Sequence, residues 1–150
     1  MGHTFTHHLF HVVFSTKQRR PWLNEGIRPR LYQYLAGVAR RKQGAVLCAG
    51  GTEDHVHLLV SLQANVSVSA FVGALKANSS RWLAREPGGT GGFAWQAGYS
   101  SFTVSRSNAK SVAAYITRQR EHHSKLSFPA ELAKLLRKHG IPFEPHHYLD

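Results

Sequence analysis

The segment Asp54–Val60, DHVHLLV, predicts a buried β-strand that carries two histidines two residues apart. Side chains alternate between the faces of a strand, so His55 and His57 should lie on one face of the sheet and Val56 and Leu58 on the other. Two neighbouring imidazoles can bind one metal ion. Because eleven of the 150 residues are histidine, a His-x-His pair is expected by chance about once. The spacing therefore gains its meaning from the apolar strand and from partners elsewhere in the chain.

The length and composition favour one α+β domain covering residues 1–150. Lysine and arginine number 19 against 8 aspartates and glutamates, giving a formal net charge of +11. This excess indicates a polyanionic partner, above all nucleic acid, with a generic basic surface as the alternative. The single cysteine, Cys48, excludes disulfide frameworks and cysteine zinc sites within one chain. No apolar run is long enough for a membrane span, and the N-terminus shows no signal-peptide pattern, so we expect a cytoplasmic protein without a membrane partner.

The shortage of acidic residues limits the possible mechanisms. Nucleases that use two metal ions need several carboxylates converging on the metals. Most of the acidic residues fall in predicted loops, at helix ends or in the tail, so we expect histidine rather than carboxylate to supply any metal site. The acidic residues are Glu25, Glu53, Asp54, Glu86, Glu121, Glu131, Glu144 and Asp150.

The order of predicted elements indicates a ferredoxin-like βαββαβ fold with an antiparallel sheet and additional C-terminal helices. Gly44 is expected to stop the first helix and Ser67 to cap the second. The glycine-rich segment 86–92 lacks the Gly-Lys-Ser/Thr ending of a phosphate-binding loop, which favours a surface loop. The predicted elements are strands at 9–16, 45–49, 54–60 and 100–104, helices at 25–42, 67–85, 108–123 and 129–139, and an extended tail at 143–150.

A second half-site is predicted on the helix at 108–123. Tyr115 and Gln119 are spaced i, i+4 and therefore lie one above the other, and His122 continues that face. A tyrosine on a helix is more often a packing residue than a nucleophile. A phenol can nevertheless attack a phosphodiester when a divalent ion polarises the phosphate, leaving a covalent phosphotyrosine and a free DNA hydroxyl. That step is reversible, which suits strand transfer better than hydrolysis.

At this point the sequence resembles a known family. His55-Val56-His57 is similar to the His-hydrophobe-His motif of HUH endonucleases, and with Tyr115-x-x-x-Gln119 and Trp95-Gln96-x-Gly98-Tyr99 it closely resembles the single-tyrosine transposases of the IS200/IS605 type. The resemblance covers nearly the whole chain. It implies Mg²⁺ or Mn²⁺ bound by His55, His57 and Gln119, with Tyr115 attacking single-stranded DNA to leave a 5′-phosphotyrosine. It also implies a homodimer whose tyrosine helix can complete the partner's site, and recognition of imperfect hairpins at the ends of the element.

The alternative function is a catalytically silent or domesticated protein that only binds hairpin nucleic acid, as in the REP-associated type. Those proteins tend to carry Asn where Gln119 stands, followed by a Pro-Val-Arg-like stretch, so this chain resembles them less well. A phosphotransferase of the histidine-triad kind would need a third histidine where Leu59 stands. An isolated zinc site using His7, His8 or His11 is unsupported, because these residues cluster at an N-terminus that is expected to be mobile.

The expected DNA contacts are basic residues beside the first strand and beside the tyrosine. They would bind mostly phosphates, with strong salt dependence and little sequence information. Aromatic side chains could stack on unpaired bases, although core packing is the expected role of at least two of Trp95, Tyr99 and Phe102. Lys76 is expected to be solvated. The expected contacts are Lys17, Arg19, Arg20, Arg118 and Arg120.

Overall fold

The computed structural model describes residues 2–87 and 89–150, and Gly88 of the glycine-rich segment lies outside the described residues. The four strands are β1 (Leu9–Ser15), β2 (Gly44–Gly51), β3 (His55–Leu62) and β4 (Ser100–Thr103). The helices are α1 (Arg28–Arg41), α2 (Val68–Arg85), α3 (Ala109–Thr117), α4 (Gln119–His123) and α5 (Phe128–Lys138). Short 3₁₀ turns follow β1 at Lys17–Arg19 and precede α3 at Arg106–Asn108.

The sheet has the strand order β2-β3-β1-β4, and every pair of neighbouring strands is antiparallel. This order confirms the predicted ferredoxin-like fold, and β2 and β3 form an antiparallel hairpin. The central strands β1 and β3 are built from β-branched, leucine and aromatic residues, which suit a sheet that is covered on both sides.

Helices cover both faces of the sheet. Val56, Leu58 and Val60 of β3 belong to the main hydrophobic core, which α1 and α2 complete. On the opposite face, Leu59 packs with Ile116 of α3. The predicted alternation along β3 is therefore confirmed, and its two histidines face the layer formed by α3, α4 and α5. None of the helices in the described part of the chain is both long and apolar enough to span a membrane.

Both ends of the first helix differ from the prediction. The helix begins at Arg28 rather than at residue 25, because Asn24 forms a preceding turn by accepting a hydrogen bond from the Ile27 amide at 2.9 Å. It ends at Arg41, and the residue with positive φ is Gln43 (φ 62°) rather than Gly44. Gly44 instead begins β2, where a Cβ would lie 2.6 Å from the Phe71 ring. Close packing, not helix termination, thus requires this glycine.

The predicted helix at 108–123 is two helices. Arg118 separates α3 from α4 with φ −98° and ψ 22°, and its amide bonds to Tyr115 O in a tighter i, i−3 arrangement. The Ser67 cap, by contrast, is confirmed, since its hydroxyl accepts a hydrogen bond from the Ala70 amide.

The tail is folded rather than extended, so that prediction is wrong. The His147 amide bonds to Glu144 O, and the carbonyl of Asp150 accepts a hydrogen bond from the Gly98 amide. Aromatic and apolar side chains of the tail pack against α5 and β4, and burial of this apolar surface stabilises the turn.

Candidate active site

Strand β3 presents its two histidines to a cluster of buried polar side chains from α3, α4 and α5. His55 and His57 are both fully buried. They are two residues apart on an antiparallel strand, and their ring centroids lie 5.1 Å apart. The strand therefore fixes both imidazoles on one face, as the alternation requires.

A buried carboxylate that the sequence did not reveal lies at the centre of this cluster. Glu131, in the first turn of α5, is only 1% exposed. Its Oε1 lies 3.0 Å from Nε2 of His57, 2.9 Å from Nε2 of His123 and 3.6 Å from Nε2 of His55. Glu131 lies at a helix end as expected, but its carboxylate joins the histidines, whereas histidine rather than carboxylate was expected at any metal site.

The tyrosine and the glutamine meet the other oxygen of the same carboxylate. The Tyr115 hydroxyl donates a hydrogen bond to Glu131 Oε2, and Gln119 Nε2 donates to that oxygen at 3.1 Å. Gln119 Oε1 lies 3.1 Å from His55 Nε2. The structure therefore brings together His55, His57, Tyr115 and Gln119, which the sequence analysis had placed on a strand and a helix far apart in the chain. His122 contacts the Tyr115 ring but does not join this cluster.

Each histidine of the pair has a partner behind it. Nδ1 of His55 lies 2.8 Å from Asp54 Oδ1, and Nδ1 of His57 lies 2.8 Å from Nε2 of His11 on β1. Such partners fix the orientation of an imidazole ring and decide which nitrogen faces inward. His11 is buried, whereas His7 is exposed and His8 half-buried, so these three residues do not form a site together.

The pKa shifts follow from burial and from Glu131. Burial lowers the pKa of His57 to about 4 and that of His11 to about 3. Burial acts to raise the pKa of Glu131, but hydrogen bonds from His123 and His57 outweigh it and hold that pKa well below its usual range. Burial, together with the bond to Glu131, raises the pKa of Tyr115 well above its usual value. Near neutral pH this arrangement combines an ionised Glu131 with a protonated phenol.

The donors around Glu131 fit a divalent metal ion. One ligand atom from each of His55, His57, His123 and Glu131 lies within 4.8 Å of all the others. Imidazole nitrogen suits transition metals, and carboxylate oxygen suits Mg²⁺ and Mn²⁺ as well. The cluster therefore has the chemistry of a metal site.

Two groups of exposed basic residues border this site. The turn containing Lys17 and Arg19 leaves β1 at the sheet end that also carries Asp54, since the Thr16 amide bonds to Asp54 O. Arg20 in the same segment lies over the Trp22 ring. The second group, Arg118 and Arg120, flanks Gln119, and Arg120 pairs with Glu25 at 2.8 Å.

Two of the three aromatic residues considered for base stacking are core residues. Trp95 and Phe102 are 8% and 3% exposed, which leaves Tyr99, at 37% exposed, as the accessible ring.

Lys76 is not simply solvated as expected. Its Nζ donates hydrogen bonds to the carbonyls of residues 96–98 and so ties α2 to the segment that precedes β4.

The residues that sequence reasoning missed carried little local signal. Glu131 follows Ser127, the N-cap of α5, and a glutamate in the first turn of a helix usually faces solvent beside the helix dipole. His123 is four residues after Gln119, and this i, i+4 spacing places its Nε2 3.0 Å from Gln119 Oε1. His11 was detectable, because it interrupts an otherwise apolar central strand.

Comparisons with known proteins show the family to which the chain belongs. The chain matches the family model described as "Transposase IS200 like" over residues 4–119. It is 31% identical over 126 residues to the transposase for insertion sequence element IS200 of Salmonella typhimurium strain LT2, covering 81% of this chain and 82% of that protein.

Two solved structures share the fold. One is the crystal structure of a protein from Deinococcus radiodurans R1 that is described as a transposase. It has a TM-score of 0.60 and 25% identity, and the match covers 77% of this chain and 94% of that one. The other is a REP-associated tyrosine transposase bound to a REP hairpin, with a TM-score of 0.57, 13% identity, and coverage of 77% and 70%. The family match spans the histidine pair and Tyr115 and ends at Gln119, before α5.

Proposed function

The chain belongs to the IS200-like transposase family and is a tyrosine transposase, and from this premise we propose that it cleaves and rejoins single-stranded DNA at element ends that form imperfect hairpins. The reaction passes through a 5′-phosphotyrosine and depends on a divalent metal ion, Mg²⁺ or Mn²⁺. The observation that carries the proposal is the buried cluster in which the Tyr115 hydroxyl shares one carboxylate with His57 and Gln119.

Tyr115 is the proposed nucleophile. Its oxygen attacks the scissile phosphorus, so the new P–O(tyrosine) bond forms as the bond to the 3′ oxygen breaks, and the DNA leaves with a free 3′ hydroxyl. The phenol proton has one acceptor already in hydrogen-bond contact, Oε2 of Glu131. The bond energies of the phosphodiester broken and the phosphotyrosine formed are similar, so the same residues can carry out rejoining in reverse.

His55, His57 and Gln119 are the proposed ligands of the ion. The inward-facing Nε2 of His55 and Oε1 of Gln119 are 3.1 Å apart, and the orienting contacts from Asp54 and His11 hold the two imidazoles towards the same point. When bound, a divalent ion would polarise the phosphate and stabilise the charge that develops on its oxygens.

The DNA partner is proposed from charge, from position and from one fold relative. The exposed basic residues Lys17, Arg19 and Arg20 follow β1, while Arg118 and Arg120 flank Gln119, and both groups suit the phosphates of a bound DNA strand. The REP-associated tyrosine transposase, which shares the fold, is bound to a REP hairpin.

A homodimer is also proposed, although Tyr115 already reaches the histidine pair of its own chain. Sedimentation analysis of the purified chain measures the oligomeric state.

Tyr115→Phe tests the nucleophile. We expect this variant to bind a single-stranded hairpin oligonucleotide with unchanged affinity but to form no covalent adduct on a denaturing gel. Tyr99→Phe, at an exposed tyrosine outside the cluster, is the matched control and should form the adduct at the wild-type rate. An undiminished adduct with Tyr115→Phe would exclude this residue as the nucleophile.

The alternative is a hairpin-binding protein that has lost catalysis, and the likeness to the REP-associated fold relative favours considering it. Metal-independent hairpin binding, with no cleavage of any single strand by the wild-type chain in Mg²⁺ or Mn²⁺, would support it over the transposase.

A further inference from the structure

Glu131 and His123 have no role in the metal site proposed above, yet they lie among its ligands. We infer that both bind the same divalent ion as His55, His57 and Gln119, so that three imidazoles, one amide oxygen and one carboxylate hold it. This inference rests on the proposed metal dependence, and it concerns which residues hold the ion rather than the reaction that follows.

The spacing of the donor atoms is the first argument. Around Oε1 of Glu131, the three inward-facing Nε2 atoms lie at 2.9 Å (His123), 3.0 Å (His57) and 3.6 Å (His55). Adjacent ligands of an ion with bonds of about 2.1 Å are roughly 3.0 Å apart in an octahedron and about 3.4 Å apart in a tetrahedron. The carboxylate oxygen thus lies at ligand spacing from all three imidazoles.

The supply of protons is the second argument. A neutral imidazole has one N–H. Nδ1 of His55 needs that proton for its contact with Asp54 Oδ1 at 2.8 Å, so its Nε2 presents a lone pair. That lone pair faces two oxygen acceptors, Oε1 of Gln119 at 3.1 Å and Oε1 of Glu131 at 3.6 Å. Burying acceptors against one another costs free energy, because no donor lies between them. A cation between them removes this cost.

The third argument is that the ligand side chains have hydrogen-bond partners that orient them. Asp54 supports His55, and with an ion at Nε2 the single proton of His57 lies on Nδ1, which then donates to Nε2 of His11 at 2.8 Å. The second oxygen of Glu131 accepts a hydrogen bond from Gln119 Nε2, which orients the carboxylate and leaves Oε1 facing the imidazoles. Ligands of metal sites are characteristically held by such contacts, whereas a purely structural carboxylate does not require three converging imidazoles.

The composition of the donor set predicts which ion it prefers. Three imidazoles suit Mn²⁺ and later transition metals, while Mg²⁺ favours oxygen ligands and retains water. We therefore expect the wild-type chain to bind Mn²⁺ at least tenfold more tightly than Mg²⁺ in the absence of DNA.

Calorimetric titration of the full chain with Mn²⁺ tests the inference without reference to activity. Glu131→Gln and His123→Asn should each weaken Mn²⁺ binding at least tenfold. Glu121→Gln and His122→Asn, at neighbouring positions outside the cluster, are the matched controls and should bind as the wild type does. Wild-type affinity in both Glu131→Gln and His123→Asn, with binding lost in His57→Ala, would overturn the inference and leave the proposed metal dependence intact. Unchanged affinity in His57→Ala would instead contradict the proposed metal site itself.

A measurement on the wild-type chain avoids any question of misfolded variants. Electron–nuclear double resonance of bound Mn²⁺, with ¹⁵N-labelled histidine, counts the directly coupled imidazoles. Three coupled nitrogens are expected, and only two would overturn the role of His123.

Discussion

Glu131 lies at the centre of the site, and its effect on the pKa of Tyr115 can be measured directly. The ionised carboxylate accepts the phenol's hydrogen bond and, after burial, is the main cause that raises the pKa of Tyr115. We predict that Glu131→Gln moves the titration of Tyr115 to lower pH, because a neutral amide does not oppose the phenolate charge. The ultraviolet difference titration against the same variant carrying Tyr115→Phe isolates this phenol from the other four tyrosines. Glu121→Gln should leave it unchanged, and an upward shift in Glu131→Gln would contradict the account.

The buried histidines predict how stability depends on pH. The pKa values of His11 and His57 in the folded chain, about 3 and about 4, lie below the ordinary value of 6.5. Below pH 6.5 these two histidines therefore bind protons in the unfolded chain but not in the folded chain. The free energy of unfolding consequently falls as the pH drops from 6.5 towards 4. The slope is up to about 1.4 kcal/mol per pH unit for each group.

Denaturant unfolding without metal at pH 7, 6 and 5 measures this slope. His123, whose pKa is raised through Glu131 despite its burial, acts in the opposite direction, so the comparison is made between variants. His11→Asn should make the slope shallower, whereas His7→Asn, at an exposed position, should not. An equal slope in His11→Asn and the wild type would contradict the lowered pKa of His11 in the folded chain.

At the scale of elements, the docking of α3 on the sheet positions Tyr115. A Cβ at Gly50 of β2 would overlap the backbone carbonyl of Ile116 on α3. We predict that Gly50→Ala displaces α3 and lowers adduct formation at least tenfold, because small misplacements of a nucleophile are costly. In the gel assay, Gly73→Ala, in α2 with open space around it, is the control and should keep wild-type activity. Wild-type adduct formation in Gly50→Ala would show that the close approach of α3 is not needed.

The strands and the histidine pair could be predicted because their patterns are local. Alternation along β3 fixes the side of the sheet that His55 and His57 face, and the i, i+4 spacing places Tyr115 near Gln119. The break at Arg118 could not be predicted, since arginine is a good helix former and neither glycine nor proline marks the position. Glu131 was equally hidden, because only the packing of α5 on the sheet decides that its carboxylate is buried.

At the scale of the whole molecule, the charge of +11 should act through the basic groups that border the site. We predict that Lys17→Ala and Arg19→Ala weaken binding of single-stranded DNA of any sequence, and that each reduces the slope of log affinity against log salt by about 0.7. Fluorescence anisotropy between 50 and 200 mM salt measures both effects. Arg41→Ala, at the exposed end of α1, is the control, and an equal loss there would indicate a generic basic surface.

The proposed reaction requires this fold to present Tyr115 to a phosphate held at the histidine pair. The most direct measurement is mass spectrometry of the protein–DNA adduct formed with a single-stranded hairpin oligonucleotide in Mn²⁺, after digestion of both components. We expect one modified peptide, with the 5′-phosphate of the cleaved strand attached to Tyr115. A phosphate on another residue, or cleaved DNA with no protein attached, would contradict it.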